Sequence, residues 1–329
     1  MKIHKWMSAA AIAVVVAIGT LTAPVSVRAN SYPAKAVKII VPYSAGGIAD
    51  ILARRVGVQF ERNFTQPFVV ENRTGANGTI AQQAVAQSTP DGYTLLLGNI
   101  GTQVVNRFTF SKLAFDIEKS FQPIGLIGSS PMLLVTAADS PINTVADLLN
   151  AAKGRASALT MGTAGNASAA HLCMALLTKL SGTPFTAVPY RGASQIIPDL
   201  IAGRVVAFFD TPMTAMPLIQ GGKIKPIAVT GTKRLSVMPD VPTVAETVSG
   251  FEYTTWLGLF APRGTPADRV DTLNSALAVA LENPEMRSFL IGTGSEIVPM
   301  TPNQFDLFIE NESVRIGALI RSSDIRLED

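Results

Sequence analysis

Short apolar runs of strand length alternate with amphipathic segments of helix length along most of the chain. This alternation is typical of α/β folds. The first unit has an apolar strand over Val37–Val41, a loop with two glycines, and an amphipathic helix over residues 48–60. Further buried strands are predicted at residues 68–70, 93–97, 131–136, 159–161, 185–189, 205–209, 227–230 and 256–260.

Two of these strands predict how the chain is divided. The run at 131–136 would carry the chain from one α/β unit into another, and the run at 256–260 would return it to the first. The sequence has no internal repeat and no low-complexity linker. We therefore expect two α/β lobes, joined by a strand hinge, with a ligand cleft between them. The expected first lobe comprises residues 30–131 and 255–329, and the second comprises residues 132–254.

The first 29 residues have the pattern of a secretory signal. Lys2 and Lys5 precede an uncharged apolar stretch, and Val27 and Ala29 supply the small residues expected before a cleavage site. The stretch is short for a membrane-spanning helix, which needs about 20 apolar residues, although an uncleaved anchor is the alternative. Without a cysteine near the cleavage site, lipid attachment there is excluded. We expect export to the periplasm with cleavage near Ala29.

Removal of this segment changes the charge balance. The whole chain has a net charge of +3, but removing Lys2, Lys5 and Arg28 from its 27 basic residues leaves 24, equal to its 24 acidic residues. Nucleic-acid binding, which depends on clustered Lys and Arg, is therefore not expected, nor is a polybasic membrane surface. A small molecule or another protein is the expected partner.

The residue counts also limit the chemistry. One cysteine, Cys173, and two histidines, His4 and His171, exclude a disulfide scaffold, a cysteine-rich zinc site, an iron–sulfur cluster and a multi-histidine metal site. We expect neither a metal nor another cofactor. Cys173 itself lies on an apolar helix and is predicted to belong to the core.

The loop after the first strand is the first candidate for ligand binding. Its glycines would let a ligand approach the backbone, and the following helix would direct free N–H groups at that ligand. It contains neither the G-x-G-x-x-G motif of dinucleotide sites nor a phosphate-binding loop. The alternative is a tight strand-to-helix turn, with Asp50 complementing the helix dipole. The candidates here are Tyr43, Ser44, Ala45, Gly46, Gly47 and Asp50.

A second small-residue loop precedes a helix that carries the histidine of the mature chain. Ser168 is a plausible N-cap of that helix, with His171 three residues later. The pair also raises the alternative of a serine hydrolase, but there is no G-x-S-x-G motif and no nearby acid to orient the imidazole. Asp210, with Thr211 beside it, follows an apolar strand and is a third candidate for the cleft.

These segments together resemble the extracytoplasmic solute receptors of tripartite tricarboxylate transporters, the Bug-type binding proteins. The resemblance covers residues 32 to about 312. The matching segments, in chain order, are YPAKAVKIIVPYSAGGIAD, VENRTGANG, PDGYTLLLGN, VPYRGASQIIPDLIAGRV, FFD, PLIQGGKIKPIAVT, PDVPTVAE and APRGTP. Each segment alone is weak, but all of them in order make a specific match.

The resemblance implies a type II periplasmic-binding-protein fold that closes on a small organic carboxylate, partly through water. It further implies a monomer that serves membrane transporter subunits and is not an enzyme. A receptor that presents its ligand to a membrane sensor protein is an alternative with the same pocket. Matched position by position, the first loop and Asn99 would line one side of the cleft. The opposite side would be formed by Gly165, Asn166, Ser168, His171 and Asp210.

The chain departs from the usual family pattern at several positions. Ser44 and Ala45 stand where Ala-Pro is common, Ala167 replaces a glycine, and Gln195 replaces a proline. Residues 106–109 also differ from the more usual Asn-Pro. These differences affect the identity of the ligand more than the fold.

Overall fold

The structure is a computed structural model that describes residues 32–153, 158–323 and 325. The predicted signal segment lies outside these residues. In the described part of the chain, none of the helices combines the length and the apolar character needed to cross a membrane.

Ten strands and eleven α-helices make up the regular structure of the described residues. The strands are β1 (Val37–Val41), β2 (Phe68–Asn72), β3 (Thr94–Asn99), β4 (Phe121–Pro131), β5 (Leu133–Ala137), β6 (Leu159–Thr163), β7 (Phe185–Pro189), β8 (Ala207–Asp210), β9 (Ile224–Val229) and β10 (Thr254–Pro262). The helices are α1 (Ile48–Phe64), α2 (Thr79–Ala86), α3 (Asn106–Thr109), α4 (Ile117–Ser120), α5 (Val145–Ala152), α6 (Ala169–Ser181), α7 (Ala193–Ile201), α8 (Pro212–Gln220), α9 (Ala267–Glu282), α10 (Pro284–Gly292) and α11 (Pro302–Ser323).

The first sheet has the strand order β2-β1-β3-β10-β4. Strands β1, β2 and β3 are parallel, and β10 is antiparallel to both β3 and β4. Alternating side chains of β1 serve two cores, because successive residues of a strand point to opposite faces. Ile39 packs with residues of α1 and α9, whereas Ile40 packs on the face that carries α2 and α11.

The second sheet has the order β7-β6-β8-β5-β9. Strands β6, β7 and β8 are parallel, while β5 runs antiparallel to β8 and β9. Phe208 of β8 faces the core under α7 and α8, and Phe209 faces the core that includes α6. The two sheets form the two α/β lobes expected for a type II periplasmic-binding-protein fold.

The chain passes between the sheets twice, once from β4 into β5 and once from β9 into β10. The fully buried side chain of Thr230 ties the two crossings together. Its hydroxyl accepts a hydrogen bond from the N–H of Met132 at 2.7 Å and donates one to the carbonyl of Tyr253 at 2.6 Å. Helix α11 also reaches the second lobe, where Lys179 donates to Ser322 at 3.1 Å.

The first crossing differs from its prediction. The strand expected at 131–136 is instead the end of β4 followed by β5, and β4 begins ten residues earlier, at Phe121. Its sequence, FQPIGLIGSSP, contains glycine and proline and therefore lacks an ordinary strand signal. Pro123 is tolerated because β4 is an edge strand. Gly125 is needed because a Cβ there would lie 2.9 Å from side chains of α9.

Candidate functional site

A cavity of about 390 Å³ lies between the two lobes, where β1 and β3 end. The first loop and the start of α1 form one wall. Strands β4 and β10, together with the end of α10, form another, and the N-terminus of α8 closes the cavity from the second lobe. The lining residues are Tyr43, Gly47, Ile48, Ala49, Leu52, Asn99, Gly128, Ser130, Thr211, Pro212, Met213, Thr255, Trp256, Leu257, Leu290, Thr293 and Ser295.

The first loop is held in place by Asp50, which is buried in the first turn of α1. One carboxylate oxygen accepts the N–H of Gly46 at 2.9 Å and Nε of Arg54 at 3.1 Å. The other accepts Nδ2 of Asn72 at 3.0 Å and lies 2.9 Å from a second guanidinium nitrogen of Arg54. Asn72 also donates to the carbonyl of Tyr43 at 3.0 Å. Asp50 therefore fixes the loop from behind and does not line the cavity.

This arrangement favours the ionised carboxylate of Asp50. Hydrogen bonds from Arg54, followed by the bond from the Gly46 N–H, lower the pKa of Asp50 to about 2. The carboxylate is thus charged at every physiological pH, and the loop is anchored throughout that range.

The N-terminus of α1 presents unpaired donors to the cavity. The N–H groups of Ile48 and Ala49 precede the first helical hydrogen bond, which runs from Ile51 to Gly47 at 3.0 Å. Neither N–H meets an acceptor in the described part of the chain, and both residues line the cavity. A helix N-terminus with free N–H groups attracts anions through those donors and through the helix dipole.

Tyr43 and Asn99 supply a further donor beside this helix. The N–H of Thr102 donates to Oδ1 of Asn99 at 2.9 Å, so Nδ2 of Asn99 faces Tyr43 and donates to its phenolic oxygen at 2.7 Å. The hydroxyl hydrogen of Tyr43 therefore has no acceptor among the described residues and is available to a molecule in the cavity. Burial raises the pKa of Tyr43 to about 12, so the hydroxyl stays protonated.

The second-lobe loop is built differently. Gly165 (φ +109°) and Ala167 (φ +56°) both adopt left-handed backbone conformations, which explains why a glycine is the more usual residue at the latter position. The hydroxyl of Ser168 accepts the N–H of His171 at 3.3 Å and caps α6, as predicted. Gly165, Asn166, Ser168 and His171 do not line the cavity; Asn166 is exposed, and the other three are half-buried.

His171 is arranged as a neutral hydrogen-bond donor. Its Nδ1 accepts the N–H of Ala167 at 3.2 Å, which leaves the proton on Nε2, and burial lowers its pKa. The hydroxyl of Ser168 contacts the backbone N–H of His171 and not the imidazole. In the described part of the chain, the imidazole has no carboxylate partner, so the geometry of a serine hydrolase is not present.

Asp210 is buried at the end of β8 and organises the start of α8. Its Oδ1 accepts the N–H of Thr211 at 2.8 Å and the hydroxyl of Thr214 at 2.5 Å. Its Oδ2 is buried without a partner among the described residues, and burial raises the pKa of Asp210. The neighbouring Thr211, and not Asp210 itself, reaches the cavity.

The structure thus divides the predicted ligand-binding residues into four groups. Tyr43, Gly47 and Asn99 line the cavity. Ser44, Ala45 and Gly46 are exposed on the same loop and do not line the cavity. Asp50 and Asp210 support lining residues from behind, and the Gly165–His171 loop stands apart from the cavity. Direct ligand contact by any of these residues stays a prediction.

Five serine and threonine residues line the cavity, of which the sequence indicates only Thr211. Ser130, Thr255, Thr293 and Ser295 lie at the hinge and after α10, in segments that contain none of the motifs identified in the sequence. Thr255 precedes the predicted return strand, and that position is the only signal that could have indicated it. No group of residues able to hold a metal ion occurs in the described part of the chain.

Comparison with known proteins extends these observations. The family described as "Tripartite tricarboxylate transporter family receptor" matches residues 52–325. The protein BugT of Bordetella pertussis is 29% identical over 97% of this chain and 98% of its own length. Rpa4515 of R. palustris, solved with adipate, is 33% identical with a TM-score of 0.81, covering 90% of this chain and 99% of that one. MatC of Rhodopseudomonas palustris, solved with bound malate, is 32% identical with a TM-score of 0.75, covering 88% of this chain and 100% of that one.

Proposed function

The chain belongs to the tripartite tricarboxylate transporter receptor family, and we propose that it captures a small organic carboxylate between its lobes and delivers it to the membrane subunits of such a transporter. The observation that carries this proposal is the set of unpaired donors at one wall of the cavity. The N–H groups of Ile48 and Ala49 and the hydroxyl of Tyr43 have no acceptor among the described residues. An anionic oxygen supplies the acceptors that these donors lack.

Hydrogen bonds from these donors would supply enough binding free energy for a receptor of micromolar affinity. A hydrogen bond to a charged group contributes about 1.5–3 kcal/mol. A micromolar dissociation constant corresponds to about −8 kcal/mol, so a few such bonds suffice after the cost of association is subtracted. No lysine, arginine or histidine lines the cavity, so the carboxylate would be recognised by oriented N–H and O–H groups, partly through water.

The second-lobe loop would complete the site when the lobes close. In this proposal, Nε2–H of His171, the hydroxyl of Ser168 and the backbone at Gly165 and Asn166 approach the ligand from the opposite side. The ligand then stabilises the closed form because it contacts both lobes. The hinge crossings between Pro131 and Leu133, and between Val229 and Thr254, support lobe boundaries near residues 131 and 255.

The two structural neighbours with bound acids support a carboxylate as the ligand class, since one holds adipate and the other malate. Receptors of this family are extracytoplasmic, and we propose that the mature chain begins after cleavage near Ala29 and acts as a monomer. Because the family and fold are those of solute-binding receptors, we propose that the ligand is released without chemical change.

The first experiment is native mass spectrometry of the purified mature protein, followed by a thermal-shift screen of mono-, di- and tricarboxylates and amino acids. A carboxylate that copurifies or raises the melting temperature supports the proposal, since a ligand that binds only the folded state stabilises it. Deletion of the gene should abolish uptake of that acid. Retained uptake with lost transcriptional induction would instead favour a sensor partner, and turnover of the bound acid would favour an enzyme.

A further inference from the structure

The serine and threonine hydroxyls that line the cavity have already used their hydrogens within the protein. Thr293 donates to the carbonyl of Leu290 at 2.8 Å, so the 3.2 Å contact between the Thr293 and Ser295 hydroxyls must be donated by Ser295. Each hydroxyl has one hydrogen, so neither has another to offer to a ligand. What both oxygens retain is acceptor capacity.

The hydroxyls on the two hinge strands behave in the same way. Thr255 donates to the carbonyl of Ser130 at 3.1 Å, and Ser130 donates to the carbonyl of Gly294 at 3.2 Å, with the carbonyl of Pro131 at the same distance. These residues face each other directly across the β4–β10 pair. Both residues line the cavity, and their hydroxyl oxygens retain acceptor capacity.

Thr211, on the second lobe, follows the same rule. The hydroxyl of Thr214 donates to Asp210, so the 2.8 Å contact between Thr211 and Thr214 is donated by Thr211. All five lining serine and threonine hydroxyls, from four separate segments, therefore present acceptors and not donors.

The donors and the hinge acceptors lie on different elements around the cavity. The donor wall is built on the ends of β1 and β3, whereas the hinge hydroxyls lie on β4 and β10. Asn99 pairs with Leu257, and Leu257 pairs with Gly128, which places β3 two strand spacings from β4. Because strands are about 4.8 Å apart, β10 lies one spacing and β4 two spacings from β3, so the hinge hydroxyls lie roughly 5–10 Å from the donor wall. Between them, the cavity has apolar lining residues that include Leu52, Leu257 and Leu290.

We infer that the ligand is a monocarboxylate whose other end carries a hydroxyl group that donates a hydrogen bond, with an apolar carbon skeleton between the two. This inference rests on the proposed function, because it takes the donor wall as the carboxylate site. A second carboxylate offers only lone pairs, so it would meet the hinge oxygens without a hydrogen between them unless a water molecule intervened. An ammonium group is disfavoured, because no acidic side chain lines the cavity.

Two matched series of acids test the inference by isothermal titration calorimetry of the mature protein. The first series is hexanoate, 6-hydroxyhexanoate and adipate, and the second is benzoate, 4-hydroxybenzoate and terephthalate. In the series that fits the cavity, we expect the hydroxy acid to bind about tenfold more tightly than both the parent acid and the diacid. A diacid or parent acid that binds as tightly as the hydroxy acid overturns the inference while the proposed function stands. If a carboxylate of the thermal-shift panel without a hydroxyl group binds when these six acids do not, the inference is overturned while the proposed function stands. If neither the six acids nor any acid of that panel binds, the proposed function itself is contradicted.

A double variant tests whether the lining hydroxyls cause the preference for the hydroxy acid. Thr255→Val combined with Ser295→Ala removes two acceptors while leaving the bond from Thr293 to Leu290 in place. We expect the tenfold preference for the hydroxy acid to fall to about threefold or less. The matched control is Thr272→Val with Ser275→Ala on α9, away from the cavity. The inference is overturned if the cavity variant keeps the full preference or if the control loses it.

Discussion

The side chain of Asn99 donates a hydrogen bond to the phenolic oxygen of Tyr43 at 2.7 Å. This bond connects the end of the third strand to the loop after the first strand, two segments 56 residues apart in sequence. Its direction is set by Thr102, whose N–H occupies the other end of the Asn99 amide. Tyr43 is consequently an acceptor toward Asn99 and retains a hydrogen for the cavity, as the proposed carboxylate site requires.

Tyr43→Phe is expected to weaken carboxylate binding about tenfold or more, because one hydrogen bond to a charged oxygen is lost. Isothermal titration calorimetry with the acid identified by thermal shift measures the effect. The control is Tyr32→Phe, which removes a hydroxyl bonded to the carbonyl of Gly92, remote from the cavity. Equal affinities of the Tyr43 variant and the wild type would remove this hydroxyl from the ligand site.

Asp50→Asn is expected to reduce the dependence of stability on pH in acid. The pKa of Asp50 is about 2 in the folded protein and 3.8 ordinarily, so its stabilisation is complete above 3.8 and is lost as the pH falls toward 2. The lost stabilisation is roughly 2 kcal/mol, from about 1.4 kcal/mol for each pH unit between the two pKa values. Urea unfolding between pH 5 and pH 2 measures it. The control is Asp271→Asn, at an exposed position. If the unfolding free energy of the Asp50 variant fell with pH as steeply as that of the wild type, the stabilising role of the Asp50 carboxylate would be contradicted.

The arrangement of the sheets could largely be predicted from hydrophobic patterning, and the exceptions have physical reasons. The strand predicted over residues 185–189 coincides with β7, because an apolar run bounded by turn residues is unambiguous. Strand β4 was missed because its glycines and its proline serve packing and an edge position. The sequences of helices α7 and α8 lack an ordinary helix signal, because each contains an internal proline, a residue that ordinarily ends a helix.

The candidate site was predictable only where glycines and polar residues follow a strand. That signal identifies Tyr43 and Gly47, and the family resemblance adds Asn99; all three line the cavity. The same signal does not distinguish Asp50, which supports the loop from behind, from residues that face the cavity, because all of them lie in the loop or in the first turn of α1. The positions of the Ser130 and Thr255 hydroxyls depend on the register between β4 and β10, which the sequence pattern alone does not predict.

His171 provides a direct test of the second-lobe loop, since the sequence after residue 29 holds no other histidine. Burial lowers its pKa, so ligand-free protein should show one imidazole titration by NMR, with a midpoint below the ordinary value of 6.5. The folded-state pKa is the lower one, so the loop is stabilised above pH 6.5 and loses stability as the pH falls. Addition of a saturating carboxylate should raise the midpoint if Nε2–H contacts the ligand. A midpoint at or above 6.5 without ligand would contradict the neutral, buried imidazole.

Ser168 has two roles that different substitutions can separate. Ser168→Asp keeps an oxygen that caps α6 but adds a negative charge beside the expected carboxylate. We expect an unfolding free energy within about 0.5 kcal/mol of the wild type and carboxylate binding reduced by at least tenfold. Ser168→Asn, which also caps and is neutral, is the matched control and should bind more tightly than the aspartate variant. If both variants bind alike, the charge at this position does not reach the ligand.

Thr230→Val is expected to destabilise the hinge through lost hydrogen bonds and not through lost volume. Valine has nearly the shape of threonine, but it leaves the Met132 N–H and the Tyr253 carbonyl without the hydroxyl that now serves both crossings. Because Thr230 is fully buried, water cannot replace that hydroxyl, and the unfolding free energy should fall by about 1–3 kcal/mol in urea titrations. The control is Thr186→Val on β7, where the side chain is exposed and a β-branched residue suits the strand. A Thr230 variant no less stable than this control would show that the hydroxyl does not hold the crossings together.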